Sequence, residues 1–146
     1  MSDFSPNLSP SQTQAQLALS FDNVSLGYGD FTVLSDISLN VKAGEVVAIM
    51  GGSGSGKTTL LRAATGQLAP MRGDVKVFGT VVDVNQRAKL ESLRQRMGVL
   101  FQHGALFTDL NVFENVAFPL REHTTLKEAE LLDQVLETLD AVGLKT

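Results

Sequence analysis

Between residues 17 and 42 apolar side chains come in short alternating runs, "LALSFDNVSLGYG" and "FTVLSDISLNV", broken by Gly and Asp. That period of two predicts antiparallel strands. Ala43-Gly44-Glu45 predicts a turn into "VVAIM", Val46 to Met50, whose unbroken β-branched character predicts a strand buried on both faces. Leu60, Leu61, Ala64 and Leu68 then recur at helical spacing, predicting a helix over 57–68. "MRGDVKVFG" reads as a turn and a strand bounded by Gly73 and Gly79. A helix follows near 88–96, and "MGVLF" predicts a second buried strand. Asn111 and Glu114 stand at capping-box spacing before a short helix that Pro119 is expected to stop. Thr125 and Glu128 repeat that spacing before a longer helix. Its expected apolar stripe is Ala129, Leu132, Leu136, Leu139 and Val142, and it ends at Gly143. The sequence has no internal repeat.

Composition narrows the picture. The chain of 146 residues is 43% hydrophobic and 19% charged, an ordinary globular balance of about one domain. With 8 Phe, 1 Tyr and no Trp, aliphatic residues must build most of the core. The stretch "MSDFSPNLSPSQTQAQ", residues 1–16, has little to bury and is expected to be a disordered tail. It has neither the basic nor the apolar region of a secretory signal. A net charge of −4 argues against broad nucleic-acid binding, so no nucleic-acid partner is expected. The longest apolar run, Val46 to Met50, is far short of a membrane span. The absence of cysteine excludes disulfides and thiolate metal sites, and a cytoplasmic setting is expected.

Residues 51–58, "GGSGSGKT", match G-x-x-x-x-G-K-[ST] in full. A triphosphate needs many converging backbone N–H groups, and Gly54 and Gly56 permit positive φ without a Cβ in the way. The helix that follows aims its unpaired N–H groups at the same charge. Lys57 is expected to face the β- and γ-phosphates, and the Thr58 hydroxyl to coordinate Mg²⁺. With Thr59 beside them, Gly51, Gly52, Ser53, Gly54, Ser55, Gly56, Lys57 and Thr58 form the candidate nucleotide-binding set. A flexible glycine linker would not sit between a buried-strand pattern and a helix pattern.

From about Leu17 to its last residue, the chain resembles the ATPase subunit of ABC transporters. The stretch "FDNVSLGYGDFTVLSDISLNVKAGEVVAIMGGSGSGKTTLLRAATGQLAPMRGDVKVFG" carries that resemblance. Within the superfamily, "RQRMGVLFQHGALFTDLNVFENVAFPLREHT" is most similar to the ATPase of Mla-type phospholipid transporters, also labelled toluene-tolerance proteins. The resemblance implies an α/β fold of the P-loop NTPase, ABC-transporter ATPase type. An antiparallel β portion stands at its N-terminus, and the start of a helical subdomain lies near residue 103. It also implies that Tyr28 stacks on adenine. Gln102, in "LFQ", is implied as the Q-loop glutamine, a catalytic residue that reaches Mg²⁺ or the attacking water. Implied cofactors are ATP and Mg²⁺. Implied partners are a membrane-embedded permease subunit and a second copy of the full-length ATPase, at the cytoplasmic membrane face. The segment after Gln102, with Leu106, Phe107, Val112, Phe113 and Phe118, is the implied groove for a permease helix.

The chain also departs from the family pattern. No "LSGG" and no strand ending in Asp-Glu occurs in these residues, so it is expected to be the N-terminal part of a longer ATPase. It is expected to bind ATP without hydrolysing it and to be poorly stable alone. Asp83, after "TVV", precedes Gln102 instead of following it, which argues against a Mg²⁺-holding role. His103 and His123 lack partners at metal-ligand spacing. A free-standing nucleotide-binding regulatory module is the alternative. A GTPase would need Asn-Lys-x-Asp, and the sequence has none.

Overall fold

The computed structural model of the chain describes residues 17–102 and 104–144. The tail expected over 1–16, and His103, lie outside the described residues. Two compact units divide after Met97.

In the first unit, β1 (Leu17–Tyr28) and β2 (Phe31–Lys42) form the expected antiparallel hairpin, turning at Gly29, φ +55°, and Asp30. β1 also pairs with β3 (Arg72–Val77), which pairs in turn with β4 (Thr80–Val81). The sheet order is β2-β1-β3-β4. Phe78 and Gly79 both take positive φ between β3 and β4, the requirement of a tight two-residue hairpin turn. A bulge in β1 between Phe21 and Val24, with Asn23 at φ +50°, decides what the strand buries. Strict alternation would send Phe21 and Val24 to opposite faces, but the extra residue turns both into the core, where Leu26 joins them.

Two helices cover that core: α1 (Lys57–Ala64) with Leu60, Ala63 and Ala64, and α2 (Arg87–Arg94) with Leu90 and Leu93. α1 is shorter than the predicted 57–68. Gly66 takes φ +69°, and the N–H groups of Gln67 and Leu68 both donate to the Arg62 carbonyl at 2.8 and 3.2 Å, closing the helix end. A Cβ on Gly66 would stand 2.4 Å from Leu90 Cδ1, so α2 approaches bare backbone there. From α2, Arg94 donates through Nε to Thr65 O and through Nη2 to Gly66 O, both at 2.9 Å. One guanidinium thus satisfies carbonyls that the end of α1 leaves open.

The two buried strands predicted at 46–50 and 97–101 do not form. Both segments lie outside the sheet, and Val46, Met50 and Leu100 are 96%, 90% and 89% exposed. A strand buried on both faces needs a hydrogen-bonded neighbour on each edge and a covering layer on each side. Among the described residues no strand runs beside either segment. Alternation survives at 46–50 all the same. Val47 and Ile49 line an apolar groove with Leu19, Phe21, Leu39 and Leu60, while Val46 and Met50 face outward.

The second unit is a helical hairpin of α3 (Val112–His123) and α4 (Glu128–Ala141). Asn111 caps α3 as predicted, its Oδ1 accepting from Glu114 N at 2.8 Å. Pro119, expected to stop the helix, lies inside it instead. The missing N–H and the ring's clash with the Asn115 carbonyl cost about 3 kcal/mol. The burial of Ala117, with Phe113, Val116 and Leu120, against Leu131 and Val135 offsets that cost. Arg121 adds ion pairs to Glu114 and to Glu128 across the helical hairpin. The predicted cap of α4 is also displaced. The helix starts at Glu128, capped at Lys127, whose N–H donates to Glu130 Oε2 at 2.9 Å. Thr124 Oγ1 meanwhile donates to Leu120 O, closing α3. Of the predicted stripe, Leu136 and Leu139 are half-buried, while Ala129, Leu132 and Val142 are exposed. The face turned inward is Leu131, Val135 and Leu139, one residue round the helix.

Arg94→Ala removes two charge-assisted bonds and is expected to lower stability by about 1–2 kcal/mol in urea titration. Arg87→Ala, which breaks only the exposed pair to Glu91, should leave the midpoint unchanged.

Candidate functional site

The glycine loop, 51–56, joins the extended segment 45–50 to α1. Gly54 and Gly56 take φ +79° and +89°, the backbone that motivated their assignment. Gly56 is the N-cap of α1, and a Cβ there would stand 2.8 Å from Leu34 Cδ2 on β2. The first intrahelical bond is Leu60 N to Gly56 O at 2.9 Å, so the N–H groups of Lys57, Thr58 and Thr59 open the helix without helical partners. Those donors and the helix dipole suit an anion.

Lys57 is half-buried and folds back over the loop. Its Nζ donates to Gly51 O and Gly52 O at 2.7 Å each, and to Ser55 Oγ at 3.3 Å. All three ammonium donors therefore meet neutral acceptors, and a charged phosphate oxygen would compete well for them.

A cavity of about 370 Å³ lies over this loop, lined by Gly54 to Thr59 together with Tyr28, Phe31 and Val33. Tyr28 comes from the end of β1, and its hydroxyl accepts from Arg62 Nη1 at 3.0 Å. A side-chain hydrogen bond with Thr59, then the one from Arg62, hold its phenol below the ordinary range. Thr58 and Thr59 both line the cavity, the first exposed and the second buried. Ser53 is exposed in the turn of the loop. One hydroxyl, Thr58, is a reasonable single protein ligand for Mg²⁺, which keeps several waters and binds largely through substrate phosphates. No group of three His, Asp or Glu among the described residues could hold a metal by itself.

Phe31 is the residue that sequence reasoning missed. Its signal was the two-residue interval Gly29-Asp30, which pairs it with Tyr28 across the hairpin. Gln102 belongs to the second unit, exposed in a turn. Asp83 has a structural task instead. Its Oδ1 accepts from Asn85 N at 2.9 Å and its Oδ2 from Gln86 Nε2 at 2.7 Å. The Asn85 N–H first, then the Gln86 amide, hold this carboxyl below its ordinary range. Both carboxylate oxygens thus serve the turn that leads into α2.

A complete phosphate loop thus stands at the head of a helix packed on an antiparallel sheet. The ABC transporter family matches residues 34–146, and the chain belongs to it. It is 50% identical over 123 residues to the "Intermembrane phospholipid transport system ATP-binding protein MlaF" of Escherichia coli (strain K12). That similarity covers 84% of this chain and 46% of the relative, so the chain spans about half the length of the curated relatives it matches. Among solved structures, cbiO1 from Clostridium perfringens, part of the ABC transporter complex cbiONQ, is similar at TM-score 0.77 and 31% identity. It is covered over 89% of this chain and 52% of its own. The ATP-binding cassette MJ0796, solved as a dimer bound to ADP and Pi, gives TM-score 0.73 at 30% identity, over 84% of this chain and 56% of its own.

Gly56→Ala forces a side chain into positive φ and against Leu34. It is expected to cost at least about 1 kcal/mol in thermal unfolding. Gly52→Ala, where a Cβ meets nothing within 4 Å, should be near neutral for stability.

Proposed function

We propose that the chain is the nucleotide-binding part of an ATP-binding subunit that powers phospholipid transport. One observation carries the reading: a complete phosphate loop at the N-terminus of α1, beneath a cavity with Tyr28 on its wall. The 50% identity to a phospholipid-transport ATP-binding protein supports the substrate class.

In this reading the triphosphate lies along Gly54 to Thr58, taking the open N–H groups of α1. Lys57 exchanges its loop carbonyls for β- and γ-phosphate oxygens. Thr58 would hold Mg²⁺, which neutralises phosphate charge when bound. Tyr28 meets the base. For Gln102 the family resemblance supports the role of Q-loop glutamine, reaching Mg²⁺ or the attacking water. The working assembly pairs two full-length ATPases beneath a permease at the cytoplasmic membrane face. No helix among the described residues is long and apolar enough to cross a membrane.

The permease contact is assigned to the stretch before and along α3. Phe107 is half-exposed, its ring centroid 4.7 Å from that of Phe118 and tilted by 57°. Asn115 fixes the loop beneath it, accepting from Phe107 N at 2.8 Å and donating to Phe107 O and Leu110 O. Leu106 and Val112 lie exposed on either side in sequence.

Lys57→Ala removes the charge facing the phosphates and is expected to weaken ATP binding at least about tenfold, or about 1.4 kcal/mol, by calorimetry. Equal affinities would place the phosphate site elsewhere. In the full-length protein, Phe107→Asp should abolish lipid transport while ATP affinity stays at the wild-type value. Normal transport at normal protein levels would remove the docking assignment.

A further inference from the structure

The base end of the cavity is built from groups that the phosphate motif does not specify. Tyr28 ends β1, where the hairpin tip leaves its ring half-exposed. Its hydroxyl is nevertheless tied down by Arg62 Nη1 at 3.0 Å. The helix that offers its first N–H groups to phosphate therefore also fixes the phenol, one turn further on.

Phe31 stands directly opposite Tyr28 across the turn, and directly paired residues project to the same side of a hairpin. Both line the cavity over the glycine loop. Phe31 is 71% exposed, a large apolar ring left at the mouth of a polar cradle. Gly27 permits this arrangement. A Cβ there would lie 2.1 Å from Phe31 O, so only bare backbone lets the strands close up behind the two rings.

We propose that Arg62 is a positioning residue which anchors the Tyr28 hydroxyl so that Tyr28 and Phe31 form a two-ring mouth for a planar nucleobase. This rests on the nucleotide reading above. Stacking acts on the face of a base, so its strength depends on the ring being held at a fixed angle to the loop that fixes the phosphates. A phenol released from Arg62 keeps its surface and loses its orientation.

The chain contains one tyrosine and no tryptophan, so its intrinsic fluorescence reports Tyr28 alone. The test titrates the 146-residue chain with ATP and, separately, with inorganic tripolyphosphate, following tyrosine emission and binding heat. Wild type is expected to bind ATP more tightly than tripolyphosphate, with ATP quenching the emission. Arg62→Ala and Phe31→Ala should each weaken ATP about fivefold to tenfold and leave tripolyphosphate affinity unchanged. Arg62→Lys should restore part of the loss. Spectrophotometric titration of Tyr28 should also move upward in Arg62→Ala, as the hydrogen bond that favours phenolate is lost. Arg62 and Phe31 are exposed, so the variants keep the core intact. ATP affinity unchanged in both variants, while Lys57→Ala still weakens binding at least about tenfold, would overturn this inference and leave the nucleotide reading standing. If wild type binds neither ligand, the nucleotide reading itself fails and the inference goes with it.

Discussion

Burial of Leu60, Ala63 and Ala64 against the antiparallel sheet is the contact on which the site depends. α1 has only eight residues, fewer than an isolated helix needs to be stable in water. Packing must hold it. Once it is held, its N-terminus presents three open N–H groups beneath the glycine loop, Arg62 reaches the Tyr28 hydroxyl, and its C-terminus is closed by Gly66 and Arg94. The open donors, the hold on the Tyr28 hydroxyl and the closed C-terminus all belong to one element.

The sheet makes that packing possible through its irregularities. The β1 bulge brings Phe21 and Val24 onto one face, and Gly27 lets the hairpin tip close behind Tyr28 and Phe31. Gly56 leans on Leu34 of β2, so the loop's position is referred to the same hairpin that carries the aromatic pair. Lys57 then holds the loop together from within, donating to Gly51 and Gly52. Neutral carbonyls are weaker acceptors than phosphate oxygens, so this closure keeps the loop ordered without blocking an anion.

The helical hairpin obeys the same balance between local preference and packing. Pro119 works against helix continuation, yet α3 runs through it because Ala117 and its neighbours bury against Leu131 and Val135. Arg121, ion-paired with Glu114 and Glu128, bridges the two helices and has its guanidinium held in the charged form, first by the Glu128 carboxylate and then by Glu114. Elsewhere packing is incomplete among the described residues. Val46, Met50 and Leu100 expose apolar surface of the kind that drives association.

The sequence by itself determined whatever depends on near neighbours along the chain. The φ freedom of Gly54 and Gly56, the donors of Lys57, the β1–β2 hairpin, the turn at Ala43-Gly44 and the Asn111 cap each follow from a few adjacent residues, and each was legible. Tertiary structure decided what depends on a partner distant in sequence. "VVAIM" and "MGVLF" carry the composition of buried strands but stay out of the sheet, because a strand exists only beside another strand. α4 turns Leu131 and Val135 inward instead of Leu132, because two apolar stripes overlap on it and only contact with α3 chooses between them. Arg62 meets Tyr28, 34 residues away, because the sheet brings the end of β1 beside α1, and no periodicity in the chain encodes that meeting.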